Sequence, residues 1–293
     1  MSLDHSLVGE TSEPVERSWT HRDALLYALG LGAGHDDPLT DLTYTTEHGD
    51  TRSADSPGQR VLPSFGVMVT WGGRGRKLGD FDPARLVHAE QAIELHRPVP
   101  TEGTARVTSR VVGMHDKGSG ALVSSESRAV DAATGEPLVT ARSAVFIKGE
   151  GGFGEPTVAE SSSTAPPPTP VPERAPDEEV PMRTWPGQAL LYRLSGDWNP
   201  LHSDPAFAAR GGFERPILHG LCTYGITCRA LVDAVAKGDG DRMTSMAGRF
   251  SAPVIPGDEL VVSLWRLDDG TVAFQTRRGD GTVVIDRGIS TWR

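Results

Sequence analysis

A stretch rich in proline, serine, threonine and acidic residues divides this 293-residue chain near its middle, at residues 154–181. Such a composition cannot bury a core, so the stretch is predicted to be an extended linker. Three short motifs occur in the same order on both sides of it, which indicates a duplicated fold. The pairs are ALLYAL (24–29) with ALLYRL (189–194), VLPSFG (61–66) with PILHG (216–220), and RPVPTEG (97–103) with APVIPGD (252–258). The sequence therefore predicts two related domains, 1–153 and 182–293, joined by the linker.

The second half is predicted to be a long helix followed by an antiparallel sheet. Apolar residues recur at helical spacing through HGLCTYGITCRALVDAV (219–235). Strand-like runs, separated by Gly and Asp turns, follow this helix. The first half is predicted to have the same order, a long helix and then strands. The expected fold class is therefore α+β, with a sheet wrapped around a helix, twice over.

Composition and charge exclude several classes of function. The formal net charge of −10 argues against nucleic acid as the main partner, because phosphate binding depends on Lys and Arg. No apolar run is long enough to cross a bilayer, and no signal-peptide pattern is present, so no membrane partner is expected. Cys222 and Cys228, the only two cysteines, lie in the predicted helix and favour a reducing, cytoplasmic location. The glycine-rich segment 72–81 lacks the strand and helix of a dinucleotide site and is interpreted as a loop.

The segment YRLSGDWNPLHSDPAFA (192–208) carries an aspartate and a histidine five residues apart, Asp197 and His202. On a continuous helix these two side chains would point about 140° away from each other. Pro200 prevents such a helix and pushes Asn199 towards an extended conformation. The sequence therefore predicts a loop that turns the carboxyl group and the imidazole towards one point.

This segment, together with RPILHGLCTYG (215–225) and RFSAPVIPGDEL (249–260), resembles the MaoC-like, or type 2, R-specific enoyl-CoA hydratases. The whole chain resembles their double hot-dog members. The resemblance implies two tandem hot-dog folds, each with a long central helix wrapped by an antiparallel sheet. It also implies reversible addition of water to trans-2-enoyl-CoA, which gives (3R)-hydroxyacyl-CoA. No metal or organic cofactor is expected, since coenzyme A enters as part of the substrate.

By the same resemblance, Asp197 and His202 are the catalytic acid/base pair and Asn199 supports them. Gly220 presents its backbone N–H to the thioester oxygen. Such a set suits the chemistry, because burial can move both pKa values towards neutrality and a helix N-terminus stabilises the enolate oxygen. Trp198 is a bulky departure within the motif that is expected to change the shape of the pocket.

Two neighbouring residues have simpler interpretations. Asp204 is predicted to cap a short helix that begins at Pro205. His219, at the start of the long helix, is predicted to pack or to hydrogen-bond locally rather than to touch substrate. Asp197, His202, Asp204 and His219 could also form a metal cluster, but the loop leaves their directions unfixed and no metal site is expected.

Four further residues are candidates for substrate binding. Arg249 and Lys117 could bind the phosphates of coenzyme A, because a mostly acidic surface needs local basic groups for that purpose. Solvated surface charges remain an equal alternative for both residues. His88 and Gln91 belong to HAEQAIELHRPVP (88–100), which resembles the family's first-half strand near the active site, and they could line the pocket.

The first half contains no second Asp/His pair at the aligned positions, so one active site per chain is expected, in the second half. The first half is then free to accommodate the acyl chain. Alternatives to the hydratase are a 3-hydroxyacyl dehydratase in chain elongation, a hot-dog acyl-CoA thioesterase and a non-catalytic acyl-CoA-binding subunit. A homodimer is expected by analogy with the family.

Overall fold

The structure is a computed structural model, and it describes residues 3–52, 58–71, 77–159, 170–268 and 270–293. The predicted loop 72–81 and the predicted linker 154–181 lie partly outside these residues. The helices are α1 (His21–Gly30), α2 (Leu42–Thr45), α3 (Gly66–Val69), α4 (Gln188–Tyr192), α5 (Pro205–Arg210) and α6 (Gly220–Ala236). The strands are β1 (Val15–Trp19), β2 (Leu86–Leu95), β3 (Gly103–Asp116), β4 (Gly120–Asp131), β5 (Pro137–Lys148), β6 (Thr157–Val158), β7 (Glu178–Arg183), β8 (Met243–Phe250), β9 (Glu259–Arg266), β10 (Thr271–Arg278) and β11 (Val283–Trp292).

The strands form one antiparallel sheet in the order β1-β3-β4-β5-β2-β8-β11-β10-β9-β7, with β6 paired to β3. The first five strands of this order come from the first half of the chain and the last five from the second half. From the centre outwards, the first half runs β2-β5-β4-β3-β1 and the second half runs β8-β11-β10-β9-β7, so equivalent strands occupy equivalent places. The repeated motifs predict this arrangement. β2 pairs with β8, from Glu90 opposite Arg249 to Glu94 opposite Ser245, and this pairing joins the two halves edge to edge.

α6 is the long central helix of the second half. It is apolar on almost every side, and residues such as Tyr224, Cys228 and Leu231 are fully buried. The helix ends at Ala236 and is capped by Lys237, whose φ of 52° is left-handed and which is followed by Gly238. The core around it contains residues of both halves, so the two folds share one hydrophobic interior. None of the helices in the described part of the chain combines the length and apolarity needed to cross a bilayer.

The prediction of a long helix in the first half is wrong. At the position equivalent to α6, a 3-10 turn (Pro63–Phe65) leads into α3, which ends after four residues at Val69. The glycine-rich segment that follows Trp71 cannot extend a helix favourably, because glycine is a poor helix former. Among the described residues of the first half, no long helix covers the inner face of the sheet as α6 covers that of the second half.

One strand, β6, lies within the range assigned to the linker, and a second, β7, begins in it. β6 pairs with β3, and β7, which begins at Glu178, pairs with β9 at the outer edge of the second-half sheet. β7 carries two glutamates and a proline, a composition that suits an edge strand as well as a linker. The division of the chain at residues 153 and 182 stays a prediction.

Candidate active site

The loop between α4 and α5 folds as the Asn199-Pro200 break predicts. Pro200–His202 form a single 3-10 turn, and the side-chain oxygen of Asn199 accepts a hydrogen bond from the Leu201 N–H at 3.1 Å. The Asn199 N–H donates to Oδ1 of Asp197 at 3.2 Å. The turn reverses the chain, so that Asp197 and His202 each place a polar side-chain atom within 4.8 Å of the other.

The ring of His202 is fixed in one orientation. Nδ1 lies 2.9 Å from the carbonyl oxygen of Ile217. A carbonyl can only accept, so Nδ1 carries the proton and donates it, and Nε2 is left with a lone pair. The residue is only 8% exposed. His202 can therefore accept a proton or a hydrogen bond at Nε2.

His219 lies behind the pair and contacts both of its members. Its ring stacks on that of His202, with 3.8 Å between centroids and 27° between planes. Its Nε2 donates to the backbone carbonyl oxygen of Asp197 at 3.2 Å. His219 is fully buried, and its Nδ1 has no hydrogen-bond partner among the described residues. The prediction of local packing and bonding is confirmed, since His219 contacts both members of the pair.

Burial shifts the pKa values of all three groups. It raises the pKa of the Asp197 carboxyl group, although the nearby His202 and the Asn199 N–H act in the opposite direction. It lowers the pKa of His202, against the opposing effects of the Asp197 charge and the Ile217 hydrogen bond. It lowers the pKa of His219 to about 2, so this ring is neutral at physiological pH.

A cavity of about 1540 Å³ opens beside Asp197 and His202. Typical small-molecule sites have volumes of about 300–1,000 Å³, so this one has room for a large ligand. Both halves of the chain contribute to its walls. From the first half these residues include Val67, Trp71, His88, Gln91, Ser109, Ser125, Ser127, Ser143 and Lys148, and from the second half Asp197, Trp198, Asn199, His202, Ile217, Gly220, Leu221 and Phe250.

The N-terminus of α6 forms part of this wall. Cys222 and Thr223 donate their N–H groups to the His219 carbonyl oxygen. The N–H groups of Gly220 and Leu221 have no acceptor among the described residues, as expected for the first turn of a helix. Two free donors and the positive end of the helix dipole therefore lie on the cavity that holds the Asp/His pair.

The structure brings some of the predicted residues to the cavity and leaves others outside it. Asp197, His202, Asn199 and Gly220 lie on it together, as do His88 and Gln91. Arg249 and Lys117 are not among the lining residues. Arg249 is exposed on β8, and Lys117 is exposed in the turn between β3 and β4.

A basic residue that the sequence did not single out takes a place at the rim. Lys148, the last residue of β5, lines the cavity with its ammonium group 5.6 Å from the centre of the Phe213 ring.

Asp204 lies outside the site and caps α5, since its Oδ1 accepts from the N–H groups of Ala206 and Phe207. The remaining three members of the considered metal cluster, Asp197, His202 and His219, have ligand atoms within 4.8 Å of one another. Stacked imidazoles, however, direct their in-plane lone pairs side by side, whereas a shared ion about 2 Å from each nitrogen needs them to converge. The residues therefore fit a metal ion poorly.

Comparison with known proteins places both halves in one family. Residues 18–149 match the MFE-2 hydratase 2 N-terminal domain, and residues 168–288 match the MaoC like domain. The 3-hydroxyacyl-thioester dehydratase Y of Mycobacterium tuberculosis is 41% identical, with 98% of each chain covered. The enoyl-CoA hydratase ChsH3 of the same organism is 42% identical, covering 91% of this chain and 90% of the relative.

A plant relative and solved structures are similar to this chain as well. The peroxisomal enoyl-CoA hydratase 2 of Arabidopsis thaliana is 39% identical, covering 89% of this chain and 85% of the relative. A MaoC-like dehydratase from Phytophthora capsici superimposes with a TM-score of 0.85 at 30% identity, covering 100% of this chain and 98% of that one. A Mycobacterium tuberculosis protein with a double hot-dog fold, only 14% identical, shares the fold with a TM-score of 0.59 and covers 97% and 96% of the two chains.

The predicted fold class, two tandem hot-dog folds, is thus confirmed, as is the predicted enzyme class. This chain belongs to the MaoC-like dehydratase family, as a double hot-dog enzyme of the hydratase 2 type.

Proposed function

We propose that this enzyme catalyses the reversible hydration of trans-2-enoyl-CoA to (3R)-hydroxyacyl-CoA, with Asp197, His202, Asn199 and Gly220 as its catalytic residues. The observation that carries the proposal is the placement of Asp197 and His202 within 4.8 Å of each other on a cavity that also exposes the first amides of α6. An acid/base pair and a set of oxyanion donors are the two requirements of adding water to an unsaturated thioester.

The pair suits a single bridging water. Two hydrogen bonds of about 2.8 Å, meeting at the tetrahedral angle of a water oxygen, span less than 5 Å between their acceptors. A water between the Asp197 carboxylate and Nε2 of His202 would donate a hydrogen to each and direct an oxygen lone pair at the β-carbon. As the new C–O bond forms, Nε2 of His202 takes one proton, and the imidazolium then gives that proton to the α-carbon. Asp197 orients the water and stabilises the transient positive charge.

The N-terminus of α6 supplies the second requirement. Negative charge builds on the thioester oxygen while the β-carbon is attacked, and the free N–H groups of Gly220 and Leu221 stabilise it. A Cβ at Gly220 would lie 3.4 Å from the Phe250 ring, an ordinary contact distance. The protein itself would therefore tolerate alanine here. The absence of a side chain leaves this part of the cavity wall open to the substrate.

The first half contributes the surface for the rest of the substrate. Lys148, which is exposed and lines the cavity at the end of β5, is a basic group that can bind a phosphate of coenzyme A. Arg249 and Lys117, which lie off the cavity, remain proposals for the outer, nucleotide end of coenzyme A. His88, whose ring contacts Phe250, and Gln91 both lie on the cavity wall, where they can contact the thioester or the first carbons of the acyl group.

We propose that the reaction needs no metal or organic cofactor, because the stacked rings of His202 and His219 fit an ion poorly. Dialysis against EDTA should then leave the rate unchanged. A cytoplasmic location is likewise a proposal. It is supported by the mycobacterial relatives, whereas the Arabidopsis relative is named peroxisomal. The expected homodimer stays a prediction, which light scattering after size-exclusion chromatography would test.

Separate Asp197→Asn and His202→Gln variants test the function, with loss of enoyl absorbance of crotonyl-CoA as the assay. His202→Gln is expected to lower kcat by about 100- to 10,000-fold, the usual contribution of a general acid or base. Asp197→Asn is expected to lower it by about 100-fold or more, because the group that orients the attacking water is lost. Asp204→Asn is the matched control from the same loop, because it caps α5 outside the cavity and should keep wild-type kcat. Wild-type kcat in either variant of the pair, or a product of S configuration, would contradict the proposal.

The dehydration direction is the second candidate. It is favoured by the relative named as a 3-hydroxyacyl-thioester dehydratase, which matches nearly the whole chain. The same residues catalyse both directions, so the carrier decides between them. A higher kcat/KM for 3-hydroxyacyl thioesters of acyl carrier protein than for those of coenzyme A would favour a role in chain elongation.

A further inference from the structure

The inner face of the first-half sheet carries a row of hydroxyl groups where an apolar core surface is expected. By strand alternation, the inward residues of β4 run from Val123 through Ser125 and Ser127 to Ala129. Ser143 on β5 and Ser109 on β3 also face inwards. These four serines are here called the serine belt, and all of them line the cavity beside Asp197 and His202.

Strand register makes the belt continuous. Ser109 lies opposite Ser127, and their hydroxyl groups are hydrogen-bonded at 2.8 Å. Ser125 lies opposite Ser143, which in turn lies opposite Gln91 on β2. Directly opposite residues have Cβ atoms about 4.5–5.5 Å apart, so the polar groups form a ladder across four strands. Apolar clusters bound the belt on both sides, one including Val107 and the other Val111 and Val123.

Two hydroxyl groups of the belt have unused hydrogen-bonding capacity. Ser125 and Ser143 are both half-buried, and neither makes a side-chain hydrogen bond with any residue in the described ranges. A polar group that is stripped of water without receiving a partner is unfavourable. A plain alkyl chain that filled this part of the cavity would therefore bind poorly beside them.

The belt lies on the acyl side of the reaction centre. Lys148, Val145 and Ser143 follow one another along β5, and Val145 is opposite His88, whose ring contacts Phe250 next to Gly220. At about 3.3 Å per residue, Ser143 lies roughly 7 Å beyond the level of His88, and Lys148 roughly 10 Å before it. A thioester at Gly220 with its coenzyme A phosphates towards Lys148 therefore points its acyl group at the belt.

We propose that the enzyme acts on 2-enoyl-CoA substrates whose acyl group carries an oxygen substituent, a hydroxyl or a ketone, on the part distant from the thioester, and that Ser125 and Ser143 bind this oxygen. This inference rests on the proposed hydratase function and names its substrate class. A site built to hydrogen-bond a substrate oxygen discriminates strongly against the analogue that lacks it, because its own polar groups are then left unpaired.

The test compares trans-2-decenoyl-CoA with its ω-hydroxy and ω-1-oxo derivatives, and uses crotonyl-CoA as a substrate too short to reach the belt. In the wild type, kcat/KM for at least one oxygenated chain should exceed that for plain trans-2-decenoyl-CoA by about threefold to tenfold for each hydrogen bond formed. The double variant Ser125→Ala/Ser143→Ala should lose this preference, which is measured as the ratio of kcat/KM between each oxygenated chain and plain trans-2-decenoyl-CoA, while turnover of crotonyl-CoA reports that the variant is folded. Ser124→Ala, on the opposite face of β4, is the matched control and should keep the preference.

The outcomes separate the two proposals. Wild type that hydrates no enoyl-CoA refutes the function, and the inference falls with it. Wild type that hydrates crotonyl-CoA but shows equal kcat/KM for plain and both oxygenated chains overturns the inference alone. A preference that survives in the double variant, or that disappears equally in Ser124→Ala, also overturns the assignment to the belt. The comparison of plain and oxygenated chains with the wild-type enzyme can refute the proposal without any variant, so the test holds even if the double variant folds poorly.

Discussion

Replacing His219 tests whether a ring behind the cavity wall keeps Asp197 and His202 in place. In His219→Phe a ring can still stack on His202, but the N–H that donates to the Asp197 carbonyl oxygen at 3.2 Å is lost. A buried carbonyl left without its donor costs about 1–3 kcal/mol. The loop around Asp197 is expected to move in order to recover a donor, and a misplacement of ~1 Å lowers a rate by about 100-fold.

His219→Gln is the matched control. The side-chain amide of glutamine can reach the place of Nε2 and donate to the same carbonyl, while the aromatic stack, which contributes about 0.5–1.5 kcal/mol, is lost. For crotonyl-CoA hydration we expect kcat to fall about 100-fold in the Phe variant. In the Gln variant kcat should fall by less than about 10-fold, in line with the loss of the stack alone. KM should change little in either variant, because His219 does not line the cavity.

His219→Phe is also expected to change how the stability of the fold depends on pH. The pKa of His219 is about 2 in the folded protein, against an ordinary value of 6.5. Because the folded pKa is the lower one, the stability that this residue contributes is fully present above pH 6.5 and is lost as pH falls below it. The loss amounts to at most about 1.4 kcal/mol per pH unit. Phenylalanine does not titrate, so the difference in free energy of unfolding between wild type and His219→Phe should shrink as the pH falls.

Three results would contradict this reasoning. Wild-type kcat in His219→Phe would show that other contacts hold the loop. A Gln variant less active than the Phe variant would show that the stack matters more than the hydrogen bond. A changed acid limb of the kcat/KM profile in the Phe variant would mean that His219 exchanges protons during the reaction, which a buried neutral ring cannot do.

The acid limb itself is a prediction, since burial lowers the pKa of His202 and the pair titrates together with Asp197. Because the pKa of His202 is lowered, a plot of kcat/KM against pH should show activity still retained at pH 6.5, the ordinary histidine value, and lost only at lower pH, where protonation removes the acceptors. Loss of activity that begins at or above pH 6.5 would be inconsistent with the burial argument. Gly220→Ala should keep or slightly raise Tm, because the added methyl group has room and alanine favours helix. The same variant should lower kcat/KM at least ~10-fold, because the methyl group obstructs the oxyanion donors. Unchanged kinetics would show that Gly220 is not part of the site. Gly225→Ala should lower the free energy of unfolding measured in urea by about 1–3 kcal/mol, because its Cβ would lie 2.5 Å from Cδ2 of Leu31. An unchanged urea midpoint would mean that α1 can move aside.

The parts of the fold and site that were predicted correctly depend on local rules. The Asn199-Pro200 break forces a turn whatever surrounds it, so the convergence of Asp197 and His202 follows from the chain itself. Asp204 caps α5 for the same local reason. The continuous apolar pattern of α6 likewise identifies a buried helix without knowledge of its neighbours.

The missed features depend on contacts between distant segments. α3 ends after four residues at Val69, whereas the duplication argument suggested a longer helix. The position of Lys148 beside Phe213 brings together residues 65 positions apart in the chain, which no local pattern reports. The serine belt did leave a signal, since Ser125 and Ser127 occupy the inward parity of a strand whose other inward residues are Val123 and Ala129.

The pairing of β2 with β8 has a consequence for how the enzyme behaves at low concentration. Because both halves of the sheet belong to one polypeptide, the edge-to-edge contact that completes the cavity cannot be lost by dilution. Specific activity per chain should therefore stay constant down to the lowest concentration at which the chain remains folded. In a homodimer of single hot-dog folds both copies carry the same residues, whereas the two halves of this chain have separate sequences. The inner surface of one half can therefore change while the other half keeps the catalytic residues.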